Sequence, residues 1–184
     1  MSGNASFKYA DTAIVSIAHV DAPEVVTSAQ FDERLAETYA RVGAQSGLLE
    51  SLAGIKERRW WPEGYTFTKA AAAAGQKALA ASGVRPDEIG LLIDTSVCRD
   101  RLEPSSAVTV HHLLDLPSWC INFDLGNACL GFMNAIQLAA SMIDSGQINY
   151  ALVVDGEGSR YTQEATLSRL AGPCLLYTSD AADD

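Results

Sequence analysis

Apolar residues recur along this chain at two periods, and the alternation between them lays out its elements. Residues 12–20 (TAIVSIAHV) form a β-branched, apolar run stopped by Asp21-Ala22-Pro23, which predicts a first strand ending in a turn. Within FDERLAETYARVGA, Phe31, Leu35, Tyr39 and Val42 share one helical face and Gly43 supplies the stop, so an amphipathic surface helix is expected. Residues 66–82 (TFTKAAAAAGQKALAAS) predict a second helix ended by Gly83, with small side chains that let another backbone come close. Short apolar runs at 89–97 (IGLLIDTSV), 120–125 (CINFDL) and 150–155 (YALVVD) read as strands, with a helical stretch at 105–116 between the first two. Strands alternating with helices predict an α/β protein with mainly parallel strands.

The helix expected over 128–145 has a different character. Leu130, Phe132, Met133, Ile136, Leu138, Met142 and Ile143 point in nearly every direction, interrupted only by Asn134, Gln137 and Ser141. A helix apolar all round is buried, so this one is expected to form a central layer between two sheets.

Composition narrows the function. The 184 residues, 48% hydrophobic and 20% charged, suffice for one sizeable core, so a single globular domain is expected and disorder is not. With 13 basic against 23 acidic residues the net charge is −10, which disfavours nucleic acid and anionic membranes as partners. The start, MSGNASFKYA, lacks a signal-peptide core, and the chain has no long apolar run of membrane-spanning type, so a cytoplasmic protein without membrane insertion is expected. Cys98, Cys120, Cys129 and Cys174 show neither CxxC pairing nor a His/Cys cluster, so no metal site and no disulfide framework is expected.

Residues 174–184 (CLLYTSDAADD) break off the pattern without a cap. They resemble the translation of a transposase-type sequencing adapter, so residues 1–173 are taken as the protein's own and 174–184 as non-native, the alternative being an acidic disordered tail.

Cys129 stands where the predicted strand INFDL passes through Gly126-Asn127-Ala128 into the apolar helix. At a helix N-terminus, N–H groups and the helix dipole favour a thiolate, and the same N–H groups suit an oxyanion. Spacing alone also allows Cys129 to be a small buried hydrophobe, which is the reading given to Cys98 and Cys120. His19, His111 and His112 read as packed or solvated, and Gly156-Glu157-Gly158 as a turn rather than a nucleotide loop. Trp60 and Trp61, following Arg58 and Arg59, form a basic-aromatic cluster suited either to an adenine or phosphate or to packing.

Asn127-Ala128-Cys129-Leu130-Gly131-Phe132 after a strand, YALVVD after that, and GIKERR at 54–59 together resemble the ketosynthase III enzymes of the thiolase superfamily. AHVDAP, GLLIDTSVCRDRLEPSS, NACLGF and YALVVDGE are most similar to the branch that joins two fatty acyl-CoA molecules head to head in bacterial hydrocarbon synthesis.

The resemblance implies a thiolase-like layered α-β-α-β-α fold, of which this chain is the N-terminal half. It implies Cys129 as the acyl-carrying nucleophile, with its backbone N–H in the oxyanion site. It further implies Glu103, in Leu102-Glu103-Pro104, as a glutamate that reaches across a homodimer interface. Acyl-CoA is then substrate, and no cofactor is needed. Joining two unactivated thioesters requires removal of an α-proton, and a carboxylate in a dry pocket is a suitable base. Read by position alone, Glu103 is a solvated residue near a helix start, and it is the resemblance that reverses this reading. Leu48 and Leu52 stand where initiating ketosynthase III enzymes carry a CoA-clamping Trp and an Arg, which weakens the malonyl-dependent 3-oxoacyl-ACP synthase III alternative. A non-catalytic α/β binding protein is the second alternative. The family's catalytic histidine and asparagine lie in the second half, so this chain is expected to be inactive alone.

Overall fold

The computed structural model describes residues 6–172, so the tail at 174–184, Cys174 included, lies outside the described residues. In chain order the elements are β1 (Glu24–Thr27), α1 (Ser28–Arg34), α2 (Ala36–Val42), α3 (Leu48–Ala53), β2 (Glu57–Trp60) and α4 (Phe67–Ser82). They continue with β3 (Ile89–Asp94), α5 (Ser106–Leu113), β4 (Ile121–Asp124), α6 (Gly131–Asp144), β5 (Tyr150–Val154) and α7 (Arg160–Ala171). These fall into two compact units, one comprising the residues through Val20 with Gly64–Glu157, the other Asp21–Glu63 with the residues from Gly158 on.

The first unit is a parallel sheet, β4-β3-β5, with helices on both faces. Alternation along the strands sends Leu92, Leu152 and Val154 to one side, where they pack with Ala71, Ala72 and Leu79 of α4 and Val110 of α5. Leu91 and Ile93 face the other side, against Ala135 and Ala139 of α6. A register shift between Ile89 and Leu91 moves Ile89 to the face of Leu92, and so lets β3 serve both cores. Thr66 caps α4 by accepting from Lys69 N, and Gly83 ends it in a left-handed conformation. The alanine-rich middle of α4 does admit close approach: the main chain at Gly156 passes directly over Phe67 and Ala71.

In the second unit β1 and β2 pair antiparallel, a pairing that the hydrophobic pattern did not reveal because both strands are short and flanked by charge. Its core is Phe31, Leu35, Trp60 and Leu167. Buried Asp32 accepts from Tyr39 Oη at 2.8 Å and from Gly47 N at 2.9 Å. Burial, followed by that hydrogen bond and the carboxylate's charge, pushes the Tyr39 hydroxyl up to about 12. Trp60 proves to be a packing residue: it stacks near Phe31, lies under the Arg160 guanidinium and donates from Nε1 to Gln163.

Three expectations need correction. Residues 12–20 form no strand; they run unpaired in a ladder sense, tacked by side chains such as Ser16 Oγ donating to Ala78 O. A strand needs a ladder partner, and among the described residues no strand pairs with this segment; Ile14 and Ile17 stay 64% and 82% exposed. The helix predicted through Phe31 and Val42 is broken at Leu35, which rotates the second piece and leaves Val42 exposed. Finally, α6 is not covered all round: Ala135 and Ala139 are buried against the sheet, while Leu130 and Met133 are 60% and 61% exposed. Only one sheet packs on α6 among the described residues, so the central-layer expectation holds for one face.

Candidate active site

The three parallel strands all finish in an aspartate, at Asp94, Asp124 and, one residue past β5, Asp155. Carboxyl ends of parallel strands are where α/β proteins place their ligands, because the connecting loops gather there. Cys129 and Glu103 both belong to loops at this end.

Cys129 sits on a tight connection. Leu125 N continues the ladder to Asp94 O at 2.9 Å, and Ala128 then takes a left-handed backbone at φ 43, which turns the chain into a single 3-10 turn, Ala128–Leu130. A non-glycine residue held in that region carries strain that the surroundings must support. They do so on both sides of the cysteine. Asn127 Nδ2 donates to Asn134 Oδ1 at 2.6 Å, tying the turn to α6. A side chain at Gly131 would meet Leu125 O at 3.2 Å and Thr95 O at 3.3 Å, so glycine lets the start of α6 press against the strand ends without displacing them. The turn leaves Cys129 exposed.

This arrangement corrects one detail. The α-helix begins at Gly131, past the cysteine, and Leu130 N and Gly131 N donate to Asn127 O and Ala128 O. Two of the N–H groups expected to face the sulfur are thus spent within the turn. Cys120, in contrast, is buried, and burial pushes its thiol up to about 11, as befits a packing residue.

Glu103 lies on the connection between β3 and α5, beside an exposed Leu102 that is 83% open to solvent and before Pro104, to which it is joined by a cis peptide. Glu103 is exposed in the single chain. The loop behind it is firmly tied. Glu157 accepts from Val97 N at 2.5 Å and Cys98 N at 3.2 Å, and Arg99 Nη1 donates to Asp124 at 2.8 Å. Asp100 accepts from Phe67 N, Thr68 N and Thr68 Oγ1. Burial alone would raise the Asp100 carboxyl, but these hydrogen bonds outweigh it and hold the group below its ordinary value. Asp124 also accepts from Ser106 N and Ala107 N, capping α5.

Beneath the loops, Asp94 is 2% exposed, its Oδ1 accepting from Ser96 N and its Oδ2 buried with no partner, so desolvation raises its pKa. Asp155 is pushed up to about 6, by burial first and then by the charge of and hydrogen bond with Glu157. None of these acids was picked out from sequence as part of the site, although their place at strand ends was visible there. The remaining candidates play no part here. His111 Nε2 lies 3.0 Å from Pro117 O, and among the described residues no cluster of His, Cys, Asp and Glu could hold a metal ion. The Gly156-Glu157-Gly158 turn is a packing and anchoring feature, with Gly156 N donating to Ser96 Oγ at 2.7 Å.

The parallel sheet ends in a strained strand-to-helix turn that presents a cysteine, and comparison with known structures gives this arrangement the thiolase-like fold. Residues 123–167 match the model of 3-oxoacyl-(acyl-carrier-protein) synthase III, a thiolase-like ketosynthase III domain. It is 44% identical over 165 residues to an acyl-CoA:acyl-CoA alkyltransferase of Xanthomonas campestris pv. campestris, covering 90% of this chain and 49% of that protein. A β-ketoacyl-(acyl-carrier-protein) synthase III of Sphingopyxis alaskensis is 32% identical, covering 81% of this chain and 48% of the relative.

Among solved structures, a cysteine-to-alanine variant of Xanthomonas campestris OleA superimposes with a TM-score of 0.90 at 42% identity, covering 93% of this chain and 50% of that one. The chain therefore spans about half the length of the curated relatives it matches. The same Xanthomonas protein has been solved with a glutamate replaced 26 positions before that cysteine, and with a histidine replaced 142 positions after it. It has also been solved with cerulenin bound. Glu103 and Cys129 are likewise 26 positions apart.

Proposed function

We propose that the protein of which this chain forms part is an acyltransferase that condenses two fatty acyl-CoA molecules without decarboxylation. The Cys129 thiolate attacks the carbonyl of one acyl-CoA, and coenzyme A leaves as its thiolate, giving an acyl thioester on Cys129. Glu103 of the partner subunit removes an α-proton from a second acyl-CoA. The resulting carbanion attacks the Cys129 thioester, expels the Cys129 thiolate and yields a 2-alkyl-3-oxoacyl-CoA, free or hydrolysed to the acid.

The observation that carries this reading is the exposed Cys129 on a strained turn at the carboxyl end of the sheet, in a chain 44% identical to a named acyl-CoA:acyl-CoA alkyltransferase. The matching spacing to Glu103 supports the role given to the glutamate. Its exposure on a projecting tip suits a residue that finds its pocket only in a homodimer. Acyl-CoA serves as substrate with no further cofactor, in a cytoplasmic pathway of long-chain hydrocarbon synthesis. The described helices include none long and apolar enough to cross a membrane.

The test is to supply acyl-CoA alone to the protein joined to the half its relatives carry beyond this chain, and to analyse the products by mass spectrometry. A condensed product of two acyl chains is expected. Product only when a malonyl donor is added identifies the synthase III reaction instead, and no product with no modification of Cys129 identifies a binding protein.

A further inference from the structure

The sequence singled out Glu103 and Cys129 but nothing that relates them. The structure does. Asp124 ends β4, five residues before Cys129, and its two carboxylate oxygens meet three donors from the other side of the loop system. Oδ2 accepts from Arg99 Nη1 at 2.8 Å and Ser106 N at 2.9 Å, and Oδ1 accepts from Ala107 N at 2.8 Å. Those donors bracket Leu102-Glu103-Pro104: Arg99 stands before it and the start of α5 after it. The Asp124 side chain is 8% exposed and that of Arg99 32%, so the ion pair is shielded enough to hold geometry rather than merely to decorate the surface. The other end of the guanidinium reaches the nucleophile's connection, with Arg99 Nη2 lying 3.6 Å from where a side chain at Gly126 would begin.

We propose that Arg99 and Asp124 are positioning residues that fix the Glu103 tip on the sheet end of its own subunit, and so set where it enters the partner subunit's site. The proposal rests on the reading of Glu103 as the base given above. Asp124 caps α5 and so contributes to folding, whereas Arg99 hydrogen-bonds to Asp124 and lends its charge to the buried Asp94; substituting Arg99 leaves the α5 cap in place. The tip itself, Leu102-Glu103-Pro104, projects into solvent from this platform. A base that must meet an α-proton in a neighbouring site depends on placement, since a misplacement of roughly 1 Å costs on the order of 100-fold in rate.

The experiment compares parent, Arg99→Met, Arg99→Lys and Glu103→Gln in the complete protein, measuring separately acyl transfer to Cys129 and formation of the condensed product. Arg99→Met keeps the aliphatic stem and removes the ion pair. It is expected to acylate Cys129 within about 2-fold of the parent, which also reports a folded turn, while condensation falls on the order of 10-fold or more. Arg99→Lys restores a charge partner for Asp124 and recovers most of the loss, which a purely structural contribution of the stem would not produce. Condensation lost in Glu103→Gln but intact in Arg99→Met overturns the proposal alone. Condensation intact in Glu103→Gln overturns the role of Glu103, and the proposal with it. Equal loss of acylation and condensation in Arg99→Met assigns Arg99 to general folding and also overturns it.

Discussion

Replacing Gly156 by alanine should destabilise the sheet-bearing unit severely, because the glycine is required for space rather than for backbone conformation. A Cβ there would lie 2.1 Å from Phe67 O, 2.8 Å from Ala71 N and 2.9 Å from Ala71 Cβ. Two of these are main-chain atoms at the start of α4, whose first residues Asp100 holds in place, so no flexible side-chain end can swing aside. Restoring ordinary contact requires a retreat of roughly 1 Å or more. Overpacking of this kind costs about 1–3 kcal/mol. The same movement breaks the hydrogen bond of Gly156 N to Ser96 Oγ, which adds about 1 kcal/mol. A loss of about 3 kcal/mol, divided by a urea dependence of about 1–3 kcal/mol/M, lowers the unfolding midpoint by roughly 1–3 M. Gly146→Ala serves as the control, since Gly146 has φ 71 but open space around it and should cost only about 1–2 kcal/mol of backbone strain. A Gly156→Ala midpoint within about 0.3 M of the parent, as followed by urea titration of circular dichroism, would refute the close approach of this loop to α4.

Thiol chemistry should separate the cysteines: mild alkylation near neutral pH followed by peptide mapping is expected to modify Cys129 early and Cys120 only on unfolding, and equal labelling would contradict their different burial. Asp155 makes stability depend on pH in a definite sense. Its carboxyl titrates from 3.8 in the unfolded chain to about 6 in the fold, so between those values the folded state binds more protons and stability falls as pH rises. Asp155→Asn should therefore raise the urea midpoint at pH 7 and confer little at pH 4, and a gain that does not shrink on acidification counts against a carboxyl raised by burial and by Glu157. Tyr39→Phe deprives the buried Asp32 carboxylate of one donor and should cost about 1–3 kcal/mol, seen as a lower midpoint in tryptophan fluorescence; an unchanged midpoint would mean that water replaces the hydroxyl.

Much of the first unit was legible in the residues because its signals are local. The runs LLID, INFD and LVVD carry strand periodicity, and Thr66 and Gly83 cap α4 where the pattern begins and ends. The turn at Cys129 was placed correctly between strand and helix, yet its 3-10 form depends on Ala128 adopting a left-handed backbone, which alanine gives no hint of. Residues 12–20 carry a strand pattern without a strand, since pairing is a property of two segments and a pattern describes one. The same limit applies to α6, where apolar residues on every side announce burial but not what does the burying. The antiparallel β1–β2 pair escaped notice because Glu24, Glu57, Arg58 and Arg59 mask four-residue strands. Asp124 and Glu157 were overlooked for another reason: their importance comes from donors 17 to 60 residues away.

The central claim concerns the sulfur of Cys129, and intact-protein mass spectrometry after brief exposure of the complete protein to a long-chain acyl-CoA tests it most directly. A single acyl adduct that maps to Cys129, disappears in Cys129→Ala and persists in Glu103→Gln is the expected result. An adduct on another residue, or undiminished acylation in Cys129→Ala, would contradict the account.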